Sequence, residues 1–152
     1  MILTEAYGDI FDVASDYECD AVGHGANVDG LMGAGIARLF KNKFPSNYKL
    51  YREMCLLAKR YNIEITGSYC GLLNINSGKA IYNLFTQDRP GPNARIEWIA
   101  ESFEDVVSSE VFSPVRMCIP KIGCGIGGLE WEDVKTTLEE IDSTMELVVA
   151  YI

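Results

Sequence analysis

The chain has a single histidine, His24, and none of its five cysteines forms a C-x-x-C pair. Structural zinc is held mainly by paired cysteines and histidines, so a zinc centre has no support in the sequence. No apolar run approaches the roughly 18 residues of a membrane-spanning helix. The opening residues, MILTEAYGDIF, lack the basic start and long apolar stretch of a secretory leader. The thiols at Cys19, Cys55, Cys70, Cys118 and Cys124 are odd in number and suit a reducing compartment, so a cytoplasmic location is expected. Net charge is −9, and lysines and arginines form no cluster beyond Lys41 and Lys43. A partner gripped mainly through a phosphate backbone needs a basic surface, so that mode is not expected. A small anion is a different case, because backbone dipoles can hold one within an acidic protein.

Glycine, by contrast, is concentrated. Nine of the fourteen glycines fall in or beside two segments, HGANVDGLMGAGIA (24–37) and IPKIGCGIGGLEW (119–131). Each follows an apolar run and precedes a helix-like pattern. Glycine loses more backbone entropy on folding than any other residue, so such clustering points to a use.

Strand-like stretches occupy 2–7, a short segment from Ala21-Val22 into His24-Gly25, 69–74, 80–86, 115–119 and 145–152. Helical spacing appears at Ile36, Leu39 and Phe40, where Phe44-Pro45 ends it. It returns at Tyr48, Tyr51, Cys55 and Ala58 behind a Ser46 cap, at Ile96, Ile99, Phe103 and Val106 behind an Asn93 cap, and at Trp131, Val134, Leu138 and Ile141. NINSGK (74–79) reads as a turn and QDRPGPN (87–93) as a loop in which Gly91 permits movement. Strands and helices alternate, which predicts one α/β domain over 1–152 with a largely parallel sheet covered on both faces.

Open α/β sheets bind ligands beyond the carboxyl ends of their strands. Both glycine stretches sit at strand-to-helix transitions and therefore open onto that edge. Gly33-Ala34-Gly35 and Gly123-Cys124-Gly125-Ile126-Gly127-Gly128 can offer bare N–H groups to a diphosphate; the competing reading is that they make tight turns only. Residues 123–128 also satisfy G-x-G-x-x-G, but one strand follows before residue 152, which leaves no room for the βαβαβ unit that fingerprint opens. The pattern G-x-x-x-x-G-K-[ST] is absent.

The segments AVGHGANVDGLMGAGIARLFKNKFP and MCIPKIGCGIGGLEWEDVK, with GDI after the first strand, the NLFTQ strand and the terminal VVAYI, resemble a macrodomain, the ADP-ribose-binding module. The resemblance covers nearly the whole chain and implies a three-layer α/β/α fold around a mixed, largely parallel sheet. It implies that Asp9 meets the adenine amino group beside Ile10, and that Asn27 meets the distal ribose. Gly33, Ala34, Gly35 and Ile36 would line one side of the diphosphate. Gly123, Cys124, Gly125, Ile126 and Gly127 would line the other, with Tyr151 against the adenosine and Phe85 near the distal ribose. Plain structural roles compete for Asp9 (a turn), Tyr151 (the last strand) and Phe85 (core).

Related enzymes that free carboxylates of ADP-ribose use a lysine after the threonine of the NLFTQ-like strand and an aspartate in the second glycine loop. Gln87 and Gly127 stand in those places, and neither forms an imine or ionises; Asp88 is a nearby carboxylate. A second branch, the phosphatases of ADP-ribose 1″-phosphate, carries an H-x-x-N pattern like His24-Gly25-Ala26-Asn27. A histidine within the glycine-rich loop of another macrodomain type is replaced here by Met32. The expected activity is therefore a metal-independent ADP-ribose 1″-phosphate phosphatase with His24 and Asn27 as catalytic groups, without a cofactor. The alternatives are a non-catalytic ADP-ribose reader and a hydrolase that removes ADP-ribose from protein or nucleic acid. A membrane is not an expected partner.

Overall fold

The computed structural model describes all 152 residues. Six strands form one sheet: β1 (Ile2–Tyr7), β2 (Ala21–Asn27), β3 (Tyr69–Asn74), β4 (Lys79–Gln87), β5 (Arg116–Ile119) and β6 (Glu146–Tyr151), in the order β1-β6-β5-β2-β4-β3. Every neighbouring pair is parallel except β3 with β4. That exception is a hairpin closed by the 74–79 turn, where Gly78 takes φ +70°.

Helices cover both faces. Alternate sheet residues Ala21, Tyr82, Leu84, Met117, Ile119, Leu147 and Val149 pack against Ile99, Phe103 and Val106 of α4 (Ile96–Val107) and Val134 and Leu138 of α5 (Trp131–Glu139). The opposite residues Val22, Ile81, Cys118 and Val148 pack against Ile10 and Val13 of α1 (Ile10–Asp16) and against Phe40 of α2 (Gly35–Lys43). Tyr51 and Cys55 of α3 (Pro45–Arg60) cover Ala26 and Phe85 beside them. This is the three-layer arrangement expected.

Four local expectations change. The helix α1 is additional: two turns give too short an apolar period to stand out, and its signal is Asp9, whose Oδ1 accepts from Phe11 N at 2.9 Å and Asp12 N at 3.3 Å. Ser46 does not cap α3, because Pro45 already supplies the first turn with its fixed φ. Asn93 does not cap α4 either; its Nδ2 donates to Pro90 O at 2.8 Å within the loop. Leu39 faces outward at the mouth of the cleft described below instead of joining the core.

Sheet order fixes where a ligand can go. The chain leaves β2 toward β4 by way of α2 and α3 on one face, and leaves β5 toward β6 by way of α5 on the other. Between β2 and β5 the winding therefore reverses, and the loops after these two strands splay apart. That is the position at which open α/β sheets form a crevice.

Candidate functional site

A cleft of about 870 Å³ lies along the carboxyl ends of the five parallel strands. Four inter-strand spacings of about 4.8 Å make it roughly 19 Å long. Both glycine loops border its middle: Gly33 to Ala37 from one side, Gly123 to Gly127 from the other. They nearly touch, since a Cβ on Gly35 would lie 3.6 Å from Ile126 Cδ1.

The backbone accounting in these loops is the main feature of the site. The N–H groups of Gly33, Ala34, Gly35, Ile36 and Ala37 meet no acceptor in the protein, and neither do those of Gly125, Ile126 and Gly127. The α2 N-terminus has no side-chain cap. Gly127 is buried and Ile36 and Ala37 are half-buried, where amides are normally paired, and the other five lie exposed around the same crevice, so the eight free donors describe an anion cradle. Charge agrees. Asp9, Lys41 and Lys121 are the ionisable acid and bases on the cleft wall, so a chain of net −9 presents a slightly positive pocket there.

Asp9 and Tyr151 mark the end near β1 and β6. Asp9 Oδ1 is used by the α1 cap, while Oδ2 makes no bond within the protein and borders the cleft beside Ile10. Tyr151 is half-exposed, packs edge-on to Tyr7 at 5.7 Å, and lies 4.7 Å below Lys121 Nζ. Asn27 and Gln87 mark the other end as register partners across β2 and β4. Gln87 Nε2 donates to Arg89 O at 3.0 Å and leaves Oε1 without a protein partner.

Asn27 has more work than its glycine-rich setting suggests. Its Oδ1 accepts from Asp29 N, Leu31 N and Tyr51 Oη, and its Nδ2 donates to Leu31 O at 2.8 Å. The side chain thus pins the start of the first glycine loop and keeps one N–H for a ligand. Burial pushes the Tyr51 phenol well above its usual range, so it stays a donor.

Two expected site residues are elsewhere. His24 lies in the middle of β2, three residues short of the strand's carboxyl end, because β2 continues to Asn27. Its ring is fully buried and stacks on Phe40 at 4.2 Å, and its Nε2 donates to Asn83 Oδ1 at 2.8 Å. Asn83 in turn exchanges two hydrogen bonds with Asn47. Desolvation pushes the imidazole down to about 4, so it is neutral at physiological pH. It neither touches the cleft nor carries a usable proton. Phe85 is likewise fully buried, stacked on Tyr51 at 6.0 Å, and is core.

Neither of the other reactive candidates is poised for chemistry. Cys124 lines the cleft, but burial pushes its thiol up to about 11 and Sγ donates to Ile122 O, so it is not a thiolate nucleophile. Gly127 cannot host a carboxylate without rearrangement: a Cβ there would sit 2.7 Å from Gly123 O and 2.8 Å from Ala94 Cβ.

The family model described as Macro domain matches residues 24–138. The ADP-ribose glycohydrolase OARD1 of Homo sapiens is 29% identical over 148 residues, covering 97% of this chain and 88% of its own length. An ADP-ribose 1″-phosphate phosphatase of Candida albicans is 29% identical over 129 residues, 79% of this chain and 80% of its own. A DNA ADP-ribosyl glycohydrolase of Thermus aquaticus is 29% identical over 135 residues, and this chain spans 37% of its length. Among solved structures, the macrodomain of Thermus aquaticus DarG aligns with a TM-score of 0.76 at 26% identity over 99% of each chain.

Proposed function

Since the chain belongs to the macrodomain family, we propose that it binds ADP-ribose along the cleft and hydrolyses the bond between C1″ of the distal ribose and its substituent. Relatives with glycohydrolase and phosphatase activity on ADP-ribose derivatives support a hydrolase. The observation that carries the reading is the set of eight unpartnered amides between the two glycine loops. A diphosphate fits there, the adenine fits beside Asp9 and Tyr151, and the distal ribose fits beside Asn27 and Gln87.

The substrate we assign is ADP-ribose 1″-phosphate, whose phosphate is a small leaving group that needs no protonation by a side chain. Water oxygen bonds to C1″, the C1″–O bond breaks, and its electron pair departs with the phosphate. The water proton passes to that phosphate or to solvent. Positive charge that develops at C1″ is offset by the diphosphate, and the diphosphate is held rigidly by the amides. The Asn27 N–H positions the ribose and Gln87 Oε1 accepts from the attacking water; neither changes protonation state. This route needs neither an imidazole nor a thiolate at the cleft.

Phosphate release from ADP-ribose 1″-phosphate in ¹⁸O-water tests it. The expected result is turnover with no ¹⁸O in the phosphate, and a rate that falls at least tenfold in Asn27→Ala. Label in the phosphate would mean P–O cleavage and would refute the route, and release equal to the buffer blank would leave an ADP-ribose reader.

A further inference from the structure

ADP-ribose 1″-phosphate carries a second anion besides its diphosphate, a phosphate monoester of about −1.5 to −2 at pH 7. The proposed binding mode puts it at the distal ribose end, whereas the eight free amides border the middle of the cleft. Neither glycine loop adds a cation at that end. Residues 27–37 contain no lysine or arginine, and Lys121 lies at the other end, over Tyr151. The neighbouring helices are the basic part of the chain: residues 35–60, which make up α2 and α3, hold seven of the thirteen lysines and arginines but one of the twenty-two acids.

One of these cations reaches the cleft at the right place. Tyr51 Oη donates to Asn27 Oδ1 at 2.9 Å, the Tyr48 ring lies 6.3 Å from that of Tyr51, and Lys41 Nζ sits 4.6 Å over the Tyr48 ring. This chain of contacts places Lys41 at the Asn27 end of the cleft, whose wall Lys41 and Tyr48 both line. Lys41 is half-buried yet pairs with no carboxylate, although Lys59, Arg89, Arg116 and Lys135 all do. Beyond Tyr48 a groove of about 250 Å³ runs toward Arg52 and shares Leu31 and Tyr48 with the cleft wall. Lys59 in that groove is held by Asp29 at 3.1 Å, which leaves Arg52 as its unpaired cation.

We infer that Lys41 and Arg52, on the two sides of Tyr48, form a subsite for the 1″-phosphate: Lys41 binds it in the substrate, and Arg52 draws the released phosphate into the groove. The inference rests on the proposed reading of the cleft and names the residue that selects the leaving group. When the C1″–O bond breaks, its electron pair leaves with the phosphate and the negative charge there rises. An ammonium group already in place stabilises that state more than the intact ester. Lys41 keeps its proton throughout, and the water proton passes to the phosphate or to solvent as before. A neutral substituent at C1″ gains nothing from this charge, so the subsite favours an anionic one.

The test is phosphate release from ADP-ribose 1″-phosphate by the full chain, with ADP-ribose as a competing inhibitor that lacks the 1″ group. Lys41→Met keeps an apolar stem on Tyr48 and removes the charge. It should lower kcat/KM roughly tenfold or more while inhibition by ADP-ribose stays as in the wild type. Lys41→Arg should recover most of the rate, and Arg52→Gln should lower it by about threefold. Kinetics of Lys41→Met identical to wild type, or an equal loss of ADP-ribose inhibition, would overturn the inference. If the wild type releases no phosphate, calorimetry with the two ligands makes the same comparison. Tighter binding of ADP-ribose 1″-phosphate than of ADP-ribose, abolished in Lys41→Met, supports the subsite; equal binding by the wild type refutes it while the cleft reading stands. No heat from either ligand means that the cleft reading failed, and the subsite fails with it.

Discussion

The two glycine loops face the same crevice but are built differently. The first, after β2, is held by polar groups: Asn27 clamps Asp29 and Leu31, Tyr51 clamps Asn27, and deeper in the same strand His24 joins Asn83 and Asn47. A side chain at Gly33 would meet nothing within 4 Å. The second loop, after β5, is held by close packing. A Cβ on Gly123 would lie 2.8 Å from Ile99 Cδ1 and 3.0 Å from Leu129 Cδ1, and Gly127 sits against Gly123 O and Ala94. Hydrogen bonds fail through protonation or loss of a partner, and tight packing fails through added volume. The two sides of one site should therefore respond to different perturbations.

Acid should have the largest effect, through the first side. His24 titrates near 6.5 when unfolded and near 4 when folded. Its contribution is complete above pH 6.5 and is lost as pH falls toward 4, because the unfolded chain binds the proton first. The loss is on the order of 3 kcal/mol. Urea melts at pH 7 and pH 4.5 should show most of it, and His24→Gln should flatten that limb; an equal pH slope in the variant would contradict the burial argument. His24→Gln should also retain ADP-ribose binding, since the ring does not reach the cleft.

Next comes Asn27→Ala, which removes the clamp and leaves the Leu31 carbonyl and the Asp29 N–H short of partners, while Tyr51 Oη still donates to the residue 27 carbonyl. It should cost about 2 kcal/mol by denaturant melt and weaken ADP-ribose as well. On the second side, Gly127→Ala adds one methyl into occupied space and should cost about 1–3 kcal/mol. A melt identical to wild type would show that this loop shifts freely and would erase the contrast. The smallest stability effects belong to Gly33→Ala and Gly125→Ala, where space is open. Each should change stability by less than about 0.5 kcal/mol yet reduce ADP-ribose affinity in calorimetry, because a methyl group then crowds the amide cradle.

Much of this was legible in the sequence. All six strands follow from apolar runs and turn residues, and the glycine segments at strand ends mark both walls of the cleft. What sequence cannot supply is where a strand stops and which face a residue takes. His24 and Asn27 are three apart in one pattern, but His24 sits in the middle of β2, fully buried under Phe40, and only Asn27, beyond an irregularity in the strand after Ala26, is at its end. The resemblance puts Phe85 near the distal ribose, but its side chain is fully buried and packs into the core against Tyr51. Net charge conceals segregation in the same way: residues 35–60 hold seven of the thirteen lysines and arginines and one of the twenty-two acids.

The proposed binding mode requires the free amides on the two loops to grip the same diphosphate. Titrating ¹⁵N-labelled protein with ADP-ribose and following backbone amide resonances measures this. Gly33 through Ala37 and Gly125 through Gly127 should shift together with one saturation curve. Shifts confined to one loop, or centred on residues outside the cleft, would contradict it.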